Sequence, residues 1–324
     1  MAKLTLADVK TVVNAVVDAT LVSIDSPFVP TYETITGLVD KIGKQLMLDS
    51  NFGEKLNQLD GEPLPFGQTI EEYFVDLVLP VNYDPSGATD LAPKRLTFED
   101  TAYSYALAKK TIPVTVDMEK FEQAMLGPSE LSALTAYIIK RLYDSLAVYR
   151  YGLKKQLLGR MIDMVGVFGA GNKKLVHLAK PTDTATAEAF AKAVKNKVEY
   201  ATKLHDDMSI NGVVASSEKE NLTLFILEGI ESVLDIDLQA GAFNVGKVQV
   251  PVNIEVVEDF GTLAVHTGTY AVLVDTRGVK LHTAKQSARQ SVNGQGEFIN
   301  YYLHYQPTGF ISKSVNVCAF KPAP

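Results

Sequence analysis

The chain has little cysteine and no tryptophan, and it lacks any long uncharged apolar run. Its one cysteine, Cys318, excludes an internal disulfide and cannot supply the thiolate ligands of a structural zinc site. Asp8 and Lys10 come too early for the apolar core of a signal peptide, and no stretch reaches the ~18 apolar residues of a membrane helix. We therefore expect a chain that is made in a cytoplasm and contacts no membrane.

Basic residues are in the minority. The 324 residues include 31 Lys plus Arg against 38 Asp plus Glu, which gives a formal net charge of −7. A surface that holds nucleic acid by counterion release needs the opposite balance. With 46% hydrophobic residues the chain has enough apolar material for a real core, and this excludes a disordered protein.

Residue types that carry catalysis do not form a recognisable set. No metal-ligand spacing connects the histidines, which are His177, His205, His266, His282 and His304. Cys318 lies in an apolar stretch and is interpreted as a small buried hydrophobe rather than a nucleophile. Asp235 and Asp237 have the DxD spacing of metal-dependent glycosyltransferases, but without a nucleotide-binding half before them the favoured interpretation is the solvated or N-capping side of a turn.

Residues 63–116 form the most unusual stretch of the sequence. Both ends have strand character, and the middle is rich in proline, glycine and aspartate, which predicts a long hairpin. At ~3.3 Å per residue each limb would reach ~40 Å, beyond the ~20 Å radius of a compact chain of this size. Because isolated two-stranded hairpins are marginal in water, we expect this one to lie on another chain.

The next segment predicts one long helix. It begins at Pro128 and Ser129 and continues to Val165, with apolar residues at steps of three and four. The glycines of residues 166–171 follow it and are interpreted as the helix stop. Since only one stripe of this helix is apolar, we expect its other side to be exposed to solvent, unlike that of a fully buried core helix.

The rest of the chain alternates between helix and strand patterns. The predicted elements are a helix over 185–205, strands over 212–215, 222–227, 248–257, 262–266, 270–275 and 298–306, a turn at 307–309, and a last strand to 320. Pro251 predicts that its strand lies at a sheet edge, because proline cannot donate a ladder hydrogen bond.

This order of elements resembles the Hong Kong 97-type capsid fold. Several sequence segments also resemble the major capsid protein of phi29-like, picovirus-type short-tailed phages. They are residues 37–43 (GLVDKIG), 65–76 (PFGQTIEEYFVD), 224–228 (LFILE), 234–244 (LDIDLQAGAFN), 271–275 (AVLVD), 300–305 (NYYLHY) and 317–320 (VCAF). Each segment is structural rather than catalytic, so the resemblance depends on their number and order.

The resemblance implies an α+β fold with five parts. They are an N-terminal arm (1–55), an extended loop (56–112), a peripheral domain with a spine helix (113–181, helix 129–165), an axial domain (182–296) and return strands (297–324). Within the extended loop, the residues expected to contact a neighbouring subunit are Phe66, Gly67, Thr69, Ile70, Tyr73, Phe74, Tyr103, Tyr105 and Leu107. We also expect neither an immunoglobulin-like C-terminal domain nor a scaffolding extension at the N-terminus.

The function implied by the resemblance is that of a major capsid protein. Its copies would form hexamers and pentamers of an icosahedral or prolate head around double-stranded DNA, assembled in the host cytoplasm and located in the virion. The implied partners are other copies, a separate scaffolding protein, a portal protein and non-specifically held DNA. No enzymatic activity, cofactor or metal is expected. Lysines in the extended loop region, Lys94, Lys109 and Lys110, are not assigned to a covalent cross-link, because the sequence does not reveal the partner groups.

Two other functions stay open at this point. Encapsulin nanocompartments share the fold and enclose enzymes, and nothing in the hairpin or the helix excludes that role. The remote alternative is a metal-dependent glycosyltransferase that uses Asp235 and Asp237.

Overall fold

A computed structural model describes residues 55–65, 70–75, 80, 85, 98–103, 105–117, 128–167, 173–233, 252–261 and 267–323. The expected N-terminal arm up to residue 54 lies outside this part of the chain. The helices include α1 (Pro128–Val167) and α2 (Thr184–Ala201). The strands are β1 (Ile70–Val75), β2 (Phe98–Tyr103), β3 (Tyr105–Ala106), β4 (Lys110–Asp117), β5 (Leu175–His177), β6 (Leu222–Leu227), β7 (Asn253–Val257), β8 (Ala271–Asp275), β9 (Val279–Asn293), β10 (Phe298–Ile311) and β11 (Val317–Lys321).

Helix α1 confirms the predicted long helix and has a wider buried side than the sequence predicts. It spans 40 residues, and Pro128 occupies its first turn, where the missing N–H costs nothing. The expected solvent-exposed side is present, since Gln156 and Arg160 are exposed, but in the second half of α1 the buried side is wider than one apolar stripe. There Leu153, Leu158 and Met161 are buried because different sides of the helix pack against the sheets and the segment before β1.

The first of two larger sheets, here called the β10 sheet, is antiparallel. Strand β10 lies in its middle, with β9 along one side and β3 and β4 along the other. The predicted turn at 307–309 is wrong, because β10 continues to Ile311. Pro307 is tolerated there since a register shift separates it from Gln306, and a proline fits such an irregularity. Strand β9 was not predicted, because its sequence is mostly polar and its strand conformation comes from pairing with β10.

The second sheet, here called the β8 sheet, has the strand order β5-β11-β8-β6-β7. The sequences of its middle strands are continuous apolar runs, because both faces of the sheet are covered. Phe225, Val272 and Ala319 belong to the core shared with α1. Their neighbours Leu224 and Leu273 belong to the core under α2. Strand β7 pairs only with β6 among the described strands, so the expected edge position is confirmed for Asn253–Val257, while Pro251 lies outside the described residues.

Helix α2 covers the outer side of the β8 sheet. Asp183 forms a capping box with Thr186 at its start, and Phe190 packs against Tyr270 and Phe320. The helix ends at Ala201 rather than at the predicted His205. The strand predicted over 212–215 is also wrong, because only Ala215 forms an isolated bridge, with His205.

The predicted hairpin is shorter than its sequence pattern suggests. Strands β1 and β2 are antiparallel, with Ile70 opposite Tyr103 and Val75 opposite Phe98. The second half of the predicted return limb, β4, instead pairs with β10 and belongs to the β10 sheet. Among the described residues, no helix is both long enough and apolar enough to cross a membrane.

Candidate assembly interface

The β1–β2 pair, here called the ribbon, forms a separate two-stranded sheet. Tyr73 has 69% of its surface exposed, and its hydroxyl donates a hydrogen bond to Glu71. On the alternate position, the carboxylate of Glu72 accepts a hydrogen bond of 2.6 Å from Ser312 Oγ. One side of β1 therefore contacts its own subunit through Glu72, and the side with Glu71 and Tyr73 is exposed to solvent.

The structure separates the residues expected to contact a neighbour into two places. Ile70, Tyr73, Phe74 and Tyr103 belong to the ribbon. Tyr105 belongs to β3, which pairs with β10, and the N–H of Leu107 donates to the carbonyl of Pro307 at 3.3 Å. Phe66, Gly67 and Thr69 lie outside the described residues.

The segment before the ribbon is fixed to α1 by charge. Asp60 Oδ1 lies 2.8 Å from Arg150 Nη2 and 2.8 Å from Lys154 Nζ. Lys154 is fully buried on α1, and its Nζ also donates to the carbonyl of Lys55 at 3.2 Å. A buried ammonium requires such partners, so this cluster fixes the segment around Asp60 to α1.

The same segment also follows the edge of β9. The N–H of Gly61 donates to the carbonyl of Leu281 at 3.0 Å, and that of Leu64 donates to Thr283 at 3.1 Å. Lys280 Nζ donates to the carbonyl of Gln58 at 2.7 Å, and burial lowers the pKa of Lys280. The start of the predicted extended loop is thus attached to the subunit body before the ribbon begins.

One side of the β10 sheet is half-buried, whereas the other side is buried. Ile299, Tyr301, Leu303 and Tyr305 of β10 are buried against α1, while the alternate residues lie on the other side. We call this half-buried side the open face, and its central residues in the ladders are Thr111, Lys285, Arg289, Tyr302 and His304. The charge of Lys109, just before β4, also acts on His304. The open face was not predicted from the sequence, although the alternation of residues 298–306 contained the signal.

The open face is basic at its centre. His304 Nδ1 lies 2.8 Å from Thr111 Oγ1, and its ring stacks near Tyr302 with a centroid distance of 6.3 Å. Desolvation lowers the pKa of His304, and the positive charges of Lys109, Arg289 and Lys285 lower it further. This positive charge is opposite in sign to the chain's net charge of −7.

A second polar cluster lies at the end of α2. Lys173 Nζ donates to Tyr200 Oη and lies 2.7 Å from Asp207 Oδ2, while the ring of His205 stacks on Tyr200 at 4.2 Å. Burial acts in the opposite direction, but hydrogen bonds from Lys173 and Tyr200 lower the pKa of Asp207. These contacts tie α2 to the loop that follows it, which is a structural role.

The described residues offer little for metal or thiol chemistry. Within them, no group of three or more His, Cys, Asp or Glu side chains is placed to hold a metal ion. Asp235 and Asp237 lie outside these residues. Cys318 is fully buried, and desolvation raises its pKa to about 12, which confirms its interpretation as a small apolar residue.

Comparison with known proteins gives relatives along nearly the whole chain. The major capsid protein of Bacillus phage PZA is 26% identical over 292 residues, which cover 88% of this chain and 62% of the relative. That of Bacillus phage B103 is 25% identical over 295 residues, which cover 89% of this chain and 63% of the relative. The chain therefore spans less than two thirds of the length of these relatives.

Solved structures share the fold at low sequence identity. The capsid structure of Staphylococcus phage Andhra has a TM-score of 0.62 at 14% identity and covers 93% of this chain and 90% of its own. The capsid structure of cyanophage P-SCSP1u has a TM-score of 0.57 at 13% identity and covers 92% and 99% respectively. The expected fold, a mixed helix and sheet architecture of the phage capsid type, is confirmed at this level.

The sequence match is more specific than the fold. The sequence model of the Phi29-like phage major capsid protein matches residues 3–321. This range includes the ribbon, α1, the β8 sheet and the β10 sheet. The resemblance seen in the sequence segments is thereby confirmed, and the chain belongs to the Phi29-like phage major capsid protein family.

Proposed function

We propose that this chain is the shell-forming subunit of a phage head and that its copies are completed by contacts with each other. The observation that carries the proposal is the family match over residues 3–321. The ribbon supports it independently, because a two-stranded sheet with strands of six residues is marginal unless something covers it.

The ribbon is the part of the subunit that we assign to a neighbour. Tyr73 exposes 69% of its surface at the ribbon's outward side, and burying such a side chain stabilises a contact by about 2 kcal/mol. Ile70, Phe74 and Tyr103 belong to the same ladder. Phe66, Gly67 and Thr69 precede it in the chain, and Tyr105 and Leu107 follow it, so the proposed contact region extends to both of its ends.

The five-part division of the chain is part of the proposal. Helix α1 corresponds to the spine helix of the peripheral domain, and the β8 sheet contributes most of its strands to the axial domain. Some strands, among them β9 and β11, pair across the expected boundaries. Strand β9, placed before residue 296, pairs with β10, and strand β11, placed among the return strands, pairs with β5 and β8.

The assembled state that we infer is a closed head of hexamers and pentamers in the virion. Modest contacts that are repeated in every subunit make a closed shell stable, while each contact alone stays weak enough for correction during growth. A scaffolding protein, a portal protein and packaged DNA are the proposed further partners. The subunit's role is mechanical, without a reaction of its own.

The two alternatives are less favoured. The relatives of this chain are named major capsid proteins, which speaks against a nanocompartment shell. A glycosyltransferase would need a nucleotide-binding half beside Asp235 and Asp237, and the family match gives no reason to expect one.

Electron microscopy of the expressed chain tests the proposal. We expect closed particles of uniform size that sediment far ahead of a 35.3 kDa monomer. A stable monomer under all conditions of concentration and salt would contradict the shell-forming role. Particles that co-purify with an enzyme instead of accepting DNA would favour the nanocompartment.

A further inference from the structure

We propose that Asn293, at the end of the β9–β10 hairpin, is a site of spontaneous deamidation, where the chain converts a side-chain carboxamide into a carboxylate. Asn293 is the last residue of β9, and Gly294 begins the turn that leads to β10. The inference does not depend on the shell-forming function, because it follows from the chemistry of one side chain and its surroundings.

The reaction uses only the chain itself and water. The backbone nitrogen of Gly294 loses its proton and attacks Cγ of Asn293, so that a bond forms between these two atoms. The bond from Cγ to Nδ2 then breaks, and Nδ2 takes up a proton through the solvent and leaves as ammonia. Water opens the resulting five-membered ring at either of its carbonyl carbons, which gives aspartate or isoaspartate.

The sequence contains two pairs that suit this reaction, Asn211–Gly212 and Asn293–Gly294. Glycine hinders the attacking nitrogen least, because it has no Cβ. The sequence alone therefore favours both pairs equally, and only their surroundings in the fold distinguish them.

The turn after β9 activates the carboxamide of Asn293. Its Oδ1 accepts hydrogen bonds from the N–H of Gln295 at 3.1 Å and from the N–H of Gly296 at 3.0 Å. Two donors on one carbonyl oxygen stabilise the negative charge that develops there when Cγ is attacked. They also fold the side chain over the turn, toward the backbone that contains the attacking nitrogen.

The attacking and leaving groups at this turn are accessible. Asn293 and Gly294 are exposed, and a Cβ placed on Gly294 would meet nothing within 4 Å. Among the described residues, no carbonyl accepts a hydrogen bond from the N–H of Gly294, and none accepts one from Asn293 Nδ2. Both nitrogens can therefore exchange protons with water.

The second pair has the opposite surroundings. Asn211 Nδ2 donates to Ser314 Oγ at 3.1 Å, and its Oδ1 accepts one longer bond of 3.4 Å from the N–H of Val213. The N–H of Gly212 donates to the carbonyl of Ser209 at 3.4 Å. Both the leaving and the attacking nitrogen are thus hydrogen-bonded within the subunit, so ring closure must first break these contacts.

The product changes the end of the hairpin in charge and in backbone length. Asn293 lies opposite Phe298, whose partner on the other side of β10 is Asp117. A carboxylate at position 293 adds negative charge to a turn that already contains the exposed Glu297. Isoaspartate also places an extra methylene in the main chain, so we expect the last pair of the ladder to open.

Peptide mapping of the full chain during incubation at mildly alkaline pH tests the inference. We expect the folded subunit to convert position 293 at least about tenfold faster than position 211, which is the effect of about one net hydrogen bond on a barrier. In denaturant, where both turns are lost, the two rates should lie within about threefold of each other. The rate at position 293 should rise with pH, because the attacking nitrogen must lose its proton.

A matched pair of variants serves as the control. Asn293→Gln moves the carboxamide one methylene further from the backbone and disfavours the five-membered ring, so the folded variant should accumulate no acidic form on ion exchange. Asn211→Gln should accumulate it as the wild type does. Both positions are exposed, thermal unfolding shows whether each variant folds, and the peptide map of the wild type decides the matter without them.

The comparison of the two positions decides the outcome. Equal conversion at 211 and 293 in the folded subunit would overturn the inference, since the turn would then have no effect. Conversion of the denatured chain at both positions, with an unchanged Asn293 in the folded subunit over the same time, would overturn it as well.

Discussion

At the residue scale, His304 gives the open face a dependence on pH. Its ring lies beside Thr111, and desolvation and the cations Lys109, Arg289 and Lys285 lower its pKa below the ordinary 6.5. A lowered pKa means that the unfolded chain takes up this proton more readily than the folded chain does. The stability contribution is therefore complete above about pH 6.5 and is lost as the pH falls toward the lower pKa of the folded state.

The prediction is that His304→Gln flattens the acid side of the stability curve. The free energy of unfolding, measured by denaturant at several pH values between about 5 and 8, should fall less steeply in the variant than in the wild type. Lys109→Gln removes one of the cations and should shift the titration of His304 back toward its ordinary range. If the free energy of unfolding of the wild type instead rises as the pH falls through this range, the predicted direction of the pH dependence is wrong.

Other residues illustrate what sequence alone can establish at this scale. The burial of Cys318 was predictable because a lone cysteine in an apolar strand has few other uses, and the structure buries it fully. The pairing of Asp60 with Arg150 and Lys154 was not predictable, since about ninety positions separate them and no local pattern connects them. Long-range ion pairs of this kind depend on the fold and not on periodicity.

At the element scale, the loop after β7 lies directly against α1. Asp259 accepts from Lys155 Nζ at 2.7 Å and from the N–H of Gly261 at 2.7 Å. Gly261 has a φ of +67°, and a Cβ there would lie 3.0 Å from the Cα of Gln156. The glycine thus meets two requirements, a left-handed backbone and a close approach to the helix backbone.

Gly261→Ala is predicted to destabilise the subunit more than a matched change elsewhere. Gly229 also has a positive φ, +84°, but a Cβ there has nothing within 4 Å. Gly229→Ala should therefore cost only the ~1 kcal/mol of the left-handed conformation. Gly261→Ala should cost a further ~1–3 kcal/mol for the contact with α1. Equal unfolding free energies for the two variants would mean that the loop and the helix separate easily.

The elements that sequence predicted well are those with strong local periodicity. Helix α1 was predicted within two residues at its C-terminal end, and β6 and β8 were predicted as apolar runs. Strand β9 was missed because Lys285, Gln286 and Arg289 give it no apolar alternation. The predicted turn at Pro307 failed because the strong pairing of β10 on both sides outweighs the preference of one proline–glycine stretch.

At the scale of the whole molecule, the subunit divides into a well-packed body and a ribbon that adds little to it. One core lies among α1, the β10 sheet and the β8 sheet, and the other lies between α2 and the β8 sheet. The ribbon strands pair with each other and with no further described strand. Removing the ribbon should therefore leave the folding of the body almost unchanged while it removes a contact to the neighbouring copy.

The ribbon is shorter than the hairpin that the sequence predicts. The hairpin from residue 63 to residue 116 was expected to project as a whole, whereas β3 and β4 belong to the β10 sheet. The described part of the hairpin that lies outside the β10 sheet consists of β1 and β2, Ile70–Val75 and Phe98–Tyr103. Sequence could not locate this division, because β2 and β4 have similar alternation and only pairing with β10 distinguishes them.

Sedimentation of a ribbon-deleted subunit tests the central claim most directly. Ile70 and Tyr103 lie opposite each other in the ladder, so a two-residue turn can replace residues 71–102 with little strain. The account predicts a folded monomer whose unfolding free energy lies within about 1 kcal/mol of the full subunit and which forms no particles. Closed shells from this variant, under the conditions that give shells from the full chain, would contradict the claim that neighbouring copies complete one another through the ribbon.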